Sequence, residues 1–127
     1  MYPVPVKPRS TSDSLRLVQL SLARSLVLAV GVQIAMLFLG APIGAHRAFG
    51  LVVGFLAVTL VLLTVRSRRP GSTVGLSVTL VMLLLCQPLT LALGDRFPFL
   101  SGVHGINGVL ILGVALALAL DSEDGDG

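Results

Sequence analysis

The chain has 127 residues, of which 54% are hydrophobic and only 12% are charged. A soluble domain of this size does not reach that apolar fraction, so the composition indicates an integral membrane protein with the lipid bilayer as its surroundings. The formal charge of +3 comes from basic clusters beside apolar stretches, and because no basic face with interleaved aromatic residues is present, nucleic-acid binding is excluded as a function.

Long apolar stretches predict four transmembrane helices. A helix needs about 20 residues to cross the hydrocarbon core, and backbone facing lipid must form its hydrogen bonds internally. The predicted crossings are residues 25–41, 45–65, 73–93 and 103–120. The predicted fold class is therefore all-α, an integral membrane up-and-down four-helix bundle.

The segment before the first crossing is polar. Residues 1–14 are rich in proline, serine and threonine, which predicts a flexible cytoplasmic tail. The transmembrane domain is expected to cover residues 15–120, with the first helix beginning at the headgroup level, where Arg16 and Arg24 would snorkel. A cleaved signal peptide is an alternative interpretation of this basic start.

The remaining connections are short. A basic Pro-Gly break at residues 66–71 separates the second crossing from the third, and residues 94–102 are expected to form an interfacial lid before the fourth. Residues 121–127 form an acidic tail. Seven basic residues precede the first crossing or follow the second, against two on the other face, so both termini are predicted to be cytoplasmic.

Four polar or small residues recur in the same order in the two halves of the chain. The first set is Gln33, Gly40, His46 and Gly50, and the second is Gln87, Gly94, His104 and Gly108. This order is consistent with two repeated helical hairpins.

The only two histidines are predicted to lie at equal depth near the outer face, because the second and fourth crossings run parallel. In a bundle with short connections these helices occupy opposite corners. That arrangement favours His46 and His104 as axial ligands of a haem b between them. Several further residues are candidates for the same site: Gly50, Gly54 and Gly108 for space, Arg47 and Arg96 for the propionates, and Gln33, Gln87 and Asn107 for polar contacts.

Other interpretations remain open for each of these residues. Histidines near an interface also hydrogen-bond to headgroups or water, or bind a different metal or ligand. Gly50 and Gly54 have the spacing of a helix-packing motif, glutamines bond helix to helix, and arginines anchor helix ends. Cys86, the single cysteine, is expected to pack as a small apolar residue.

Two absences bear on chemistry. No aspartate or glutamate lies within a predicted crossing, so neither a carboxylate base nor an acidic proton relay is expected in the membrane. No third histidine or second cysteine exists to complete a typical zinc site. The sequence thus leaves enzyme activity uncertain and favours a protein that is not an enzyme.

The run Ala45-His46-Arg47-Ala48-Phe49-Gly50, with Gln87, Gly94 and His104, resembles one four-helix half of the haem A synthase family. The resemblance implies a histidine pair on the second and fourth helices near the outer face. The family's catalytic glutamate position is Ile43 here, and its outer-loop cysteine pair is missing. The resemblance therefore implies a haem-binding module, and the missing glutamate and cysteines put synthase activity in doubt. The chain is also similar to short, uncharacterised four-helix membrane proteins of bacteria, which implies a bacterial cell membrane.

Three functions follow as hypotheses. The first is a membrane b-type cytochrome for electron transfer or haem handling, with a redox partner or a larger membrane complex as a possible partner. The second is a non-haem structural or accessory subunit of a larger membrane complex. The third is a haem-synthase-like enzyme, which would need a homodimer to rebuild two bundles.

Overall fold

The computed structural model describes residues 11–124, which form four helices. These are α1 (Thr11–Phe38), α2 (Ile43–Arg66), α3 (Gly71–Gly94) and α4 (Phe99–Asp124). Each contains a segment long and apolar enough to cross a membrane. The predicted all-α, multi-pass fold is confirmed over this part of the chain.

The helix boundaries differ from the predicted ones mainly at α1 and α4. Helix α1 begins at Thr11, within the predicted tail of residues 1–14, whose first ten residues lie outside the described part of the chain. Helix α4 begins at Phe99, so half of the predicted lid is its first turn. The acidic tail is helical as far as Asp124, and residues 125–127 lie outside the described part. Helix ends are placed by caps and turns, which hydrophobicity does not report.

Helix α1 stops earlier than predicted because of a C-terminal glycine motif. Gly40 has a φ of +68°, and the backbone N–H of Ala41 donates to the carbonyl oxygen of Met36 at 2.9 Å. This is the bonding pattern of a Schellman cap, which favours glycine at the left-handed position. Helix α2 then starts after Pro42.

The four helices form a closed ring. Helices adjacent in the sequence pack against each other, and α1 packs against α4. Within the described residues the backbones of α2 and α4 are not in contact, so these two helices occupy opposite corners of the bundle. This arrangement is the up-and-down bundle that short connections predict.

The burial pattern repeats between the two hairpins. Buried positions of α1 recur 54 residues later in α3, and those of α2 recur 58 residues later in α4. The corresponding residues are Gln19, Ala23 and Leu26 with Thr73, Ser77 and Leu80, and Val53, Ala57 and Leu60 with Ile111, Ala115 and Leu118. The two offsets differ by about one helical turn, which leaves the same face inward. This burial pattern is consistent with two repeated hairpins.

Candidate functional site

The two histidines come together between the helices, near the end of the bundle where α2 and α4 begin. His46 lies in the first turns of α2 and is 6% exposed, and His104 lies in the first turns of α4 and is half-buried. Their ring centroids are 6.4 Å apart and the ring planes are inclined by 59°. Because α2 and α4 are diagonal neighbours and run parallel, both side chains reach the same level from opposite sides.

A cavity of about 1230 Å³ surrounds the histidine pair and is lined by residues of all four helices. Most of its wall is apolar, and several wall residues, including Leu51, Phe55 and Leu85, are also exposed on the outside of the bundle. The cavity therefore opens sideways toward the position of the lipid.

Eight of the ten predicted site residues line this cavity. From α1 and α2 they are Gln33, His46, Arg47, Gly50 and Gly54, and from α3 and α4 they are Gln87, His104 and Gly108. Since these positions are far apart in the sequence, their convergence is a property of the fold.

The other two predicted residues lie elsewhere. Arg96 is exposed in the connection between α3 and α4 and does not line the cavity. Asn107 is buried, and its Nδ2 donates to the carbonyl oxygen of Leu83 at 2.8 Å, which joins α4 to α3. In this structure Asn107 has a helix-packing contact.

The hydrogen bonds of Thr90 favour one tautomer of His104. The Thr90 hydroxyl donates to the carbonyl oxygen of Gln87 at 2.8 Å, and its oxygen lies 3.3 Å from Nδ1 of His104. A hydroxyl has one proton, so toward the imidazole the oxygen acts as acceptor. This arrangement favours the tautomer in which Nδ1 of His104 carries the ring proton and Nε2 keeps a free lone pair.

Gln33 plays a different role beside His46. Its Nε2 donates to the main-chain carbonyl oxygen of His46 at 2.8 Å and lies 3.1 Å from Nε2 of the same ring. An amide nitrogen only donates, so Nε2 of His46 is the acceptor and Nδ1 carries the proton. Nδ1 of His46 and Oε1 of Gln33 are buried without a hydrogen-bond partner. Two buried polar atoms without partners in an apolar cavity are costly, so a ligand or water that bonds to them would be stabilised here.

The glycines four residues after each histidine lie beside the glutamines, and the approach is tight at Gly50 and ordinary at Gly108. A Cβ at Gly50 would lie 3.3 Å from Nε2 of Gln33, and a Cβ at Gly108 would lie 3.6 Å from Nε2 of Gln87. A Cβ at Gly54 would meet nothing within 4 Å. The glutamine–glycine contact is repeated in both hairpins, whereas Gly54 borders open space.

Sequence reasoning did not identify Thr90 or Asp95, both of which belong to this region. Asp95 lines the outer end of the cavity. Threonine is common in membrane helices, and its role here depends on the rotation of α3 toward α4, so no sequence pattern pointed to it. Asp95 was detectable as the one acidic residue in the connection between α3 and α4.

A bare metal ion lacks ligands at this site. Within residues 11–124 no group of three or more histidine, cysteine or acidic side chains is close enough to hold one. Structural and catalytic zinc sites use at least three such side chains. The site offers two nitrogen ligands only.

Compared with protein-family models, curated proteins and solved structures, the chain matches none. The functional argument therefore rests on the geometry of this chain.

Proposed function

We propose that this protein is a membrane b-type haem protein in which His46 and His104 are the two axial ligands. The observation that carries the proposal is the 6.4 Å separation of the two imidazole centroids across the bundle. Imidazole nitrogens bind metals at about 2.0–2.1 Å, and each ring centroid is about 1.1 Å behind its nitrogen, so two ligands of one metal have centroids about 6.3 Å apart. The histidines are spaced for a single metal between them.

The number of protein ligands also supports a haem. A porphyrin supplies four in-plane nitrogens, so two histidines complete its iron. The apolar cavity of about 1230 Å³ is larger than the range of about 300–1,000 Å³ typical of sites for small molecules. It therefore has room for a ligand as large as a porphyrin. When bound, haem b would supply a reversible one-electron couple for electron transfer or haem handling.

The chain's own residues prepare the two ligands unequally. The Thr90 oxygen accepts a hydrogen bond from Nδ1–H of His104, which leaves Nε2 ready to bind. Nε2 of His46 is engaged by Gln33, so coordination through that atom requires the Gln33 amide to withdraw from the ring. Gln33 can keep its bond to the His46 carbonyl oxygen while it does so.

Charges at the cavity wall favour one orientation of a carboxylate-bearing ligand. Arg47 lines the cavity and is exposed, whereas Asp95 lines it from the connection after α3 and would repel a propionate. We therefore assign propionate pairing to Arg47. Arg96, which lies outside the cavity wall, remains a predicted second partner of the propionates.

The proposal extends to the cellular setting. A multi-pass protein in a bacterial cell membrane with both termini in the cytoplasm would hold this haem near the outer face. Bis-histidine ligation fills both axial positions and disfavours oxygen activation, so a separate redox partner or a larger membrane complex would take the electron.

The test is a haemin titration of the purified apoprotein in detergent, followed by absorption. One haem per chain with a low-spin spectrum is expected. His46→Ala and His104→Ala should each abolish the low-spin form, and added imidazole should restore it if the cavity is intact. Titration without saturation, or equal spectra for the wild type and both variants, would refute the proposal.

A further inference from the structure

A second cavity, of about 490 Å³, lies at the opposite end of the bundle from the histidines. It is bordered by the first turns of α1 and by the connection between α2 and α3. Four arginines line it: Arg16, Arg66, Arg68 and Arg69. Asp13 is the acidic side chain among the lining residues, so the wall carries a net of three positive charges, four against one.

Three hydrogen-bond groups at this cavity are buried without partners. They are Nε2 of Gln19, Oγ of Ser67 and Nη2 of Arg69. Gln19 is 2% exposed, and its Oε1 accepts from Nε of Arg69 at 3.2 Å. Since a guanidinium only donates, that bond fixes the amide so that Nε2 of Gln19 is left over. All three unpartnered groups can donate to an anion.

We propose that this cavity binds a phosphate group, with Gln19, Ser67 and Arg69 as donors and the other arginines as counter-charges. Phosphate oxygens are strong acceptors, and arginine forks match them. The negative end of the α2 dipole opposes an anion here, but three net charges outweigh about half a charge. The bound phosphate then supplies the hydrogen-bond acceptors that the three buried donors lack.

The level of the cavity points to a lipid headgroup as one source of this phosphate. Asp13 and Arg66 end two of the membrane-spanning segments, and both line the cavity. Phospholipid phosphates lie at that boundary, and basic pockets between membrane helices bind them. Inorganic phosphate or a soluble phosphate ester offers the same chemistry from the water side.

The backbone at Arg68 is in the left-handed region, with a φ of +50°. The connection closes with the N–H of Arg69 donating to the carbonyl oxygen of Thr64 at 3.3 Å, a turn in which glycine is the preferred residue. An arginine at this position costs stability and adds a charge to the cavity. Arg68→Gly should therefore fold at least as well as the wild type while binding phosphate less tightly.

The test uses the full-length protein in detergent. Native mass spectrometry counts adducts of phosphatidylglycerol and phosphatidylcholine, and helical melting is followed with inorganic phosphate against chloride at equal ionic strength. Arg69→Gln is compared with Arg24→Gln, an exposed arginine of α1 outside the cavity. Arg69→Gln should weaken binding about tenfold, the value of one charged hydrogen bond, and Arg24→Gln should not.

The two arms distinguish the source of the phosphate. Lipid adducts that are lost in Arg69→Gln and Arg68→Gly identify a headgroup, whereas a rise in melting temperature with inorganic phosphate alone identifies a soluble ligand. The proposal is overturned if neither probe separates Arg69→Gln from Arg24→Gln, or if Arg68→Gly folds and binds both probes like the wild type.

Discussion

Thr90 and Gln33 decide which nitrogen each histidine offers, although neither side chain carries a charge. Thr90 leaves Nε2 of His104 bare, whereas Gln33 occupies Nε2 of His46. The equivalent of Thr90 in the first hairpin, 54 residues earlier, is Met36, which cannot act as the same acceptor. The repeat therefore gives two similar backbones with two different ligand environments.

Thr90→Val tests this role of the hydroxyl. Losing the acceptor for the Nδ1 proton should lower haem affinity about 10–100-fold, the usual effect of removing such a partner. It should also raise the midpoint potential, because a less basic imidazole stabilises the ferric iron less. Haemin titration and redox potentiometry measure both effects. Thr59→Val is the control, since Thr59 bonds only its own helix at Phe55; equal losses in both variants would contradict the assignment.

At the scale of the helices, the two hairpins were predictable from the recurring Gln, Gly, His and Gly positions, because a repeat is visible in a single sequence. The equivalence of Gln19 with Thr73 and of Ala23 with Ser77 was not predictable. The two residues of each set differ in chemistry, and only their burial matches. The early end of α1 also escaped prediction. It depends on the left-handed backbone of Gly40, whereas hydrophobicity continues past it.

Gly54→Leu tests whether the open space beside α2 is needed for the ligand. A Cβ at Gly54 meets nothing within 4 Å, so the helix should fold normally while the leucine side chain fills part of the cavity. Haem affinity should fall on the order of tenfold, a typical cost of overpacking. Gly75→Leu is the matched control, because Gly75 is equally unobstructed but lies outside the cavity wall. A normal titration for Gly54→Leu would show that the ligand lies elsewhere.

For the whole molecule, the four-helix membrane fold was predictable because charged residues, apart from Arg24 in the middle of α1, lie near helix ends or in connections, and this constraint leaves few alternatives. The diagonal position of α2 and α4 followed from short connections. The arginine cavity was not predicted. Its basic residues were interpreted as orientation signals and, for Arg16, as a snorkelling side chain, and its three unpartnered donors become visible once the side chains are placed.

Orientation is the prediction that belongs to this scale. The four helices bring Thr11 and Asp124 to the same face of the bundle, and the excess of basic residues there predicts that this face is cytoplasmic. A fluorescent protein fused to either terminus should fluoresce, and alkaline phosphatase fused to either terminus should be inactive. A fusion at residues 95–98 should show the reverse. An active phosphatase at a terminus would contradict the orientation.

The central claim is that the two imidazoles, whose ring centroids lie 6.4 Å apart, hold one haem. The most direct measurement is the reduced-minus-oxidised absorption spectrum of the protein purified from haem-replete cells, recorded at equal protein concentration for the wild type, His46→Ala and His104→Ala. The account predicts a low-spin b-type spectrum with one haem per chain that is lost in both variants. A colourless wild-type protein, or a spectrum that survives either substitution unchanged, would contradict it.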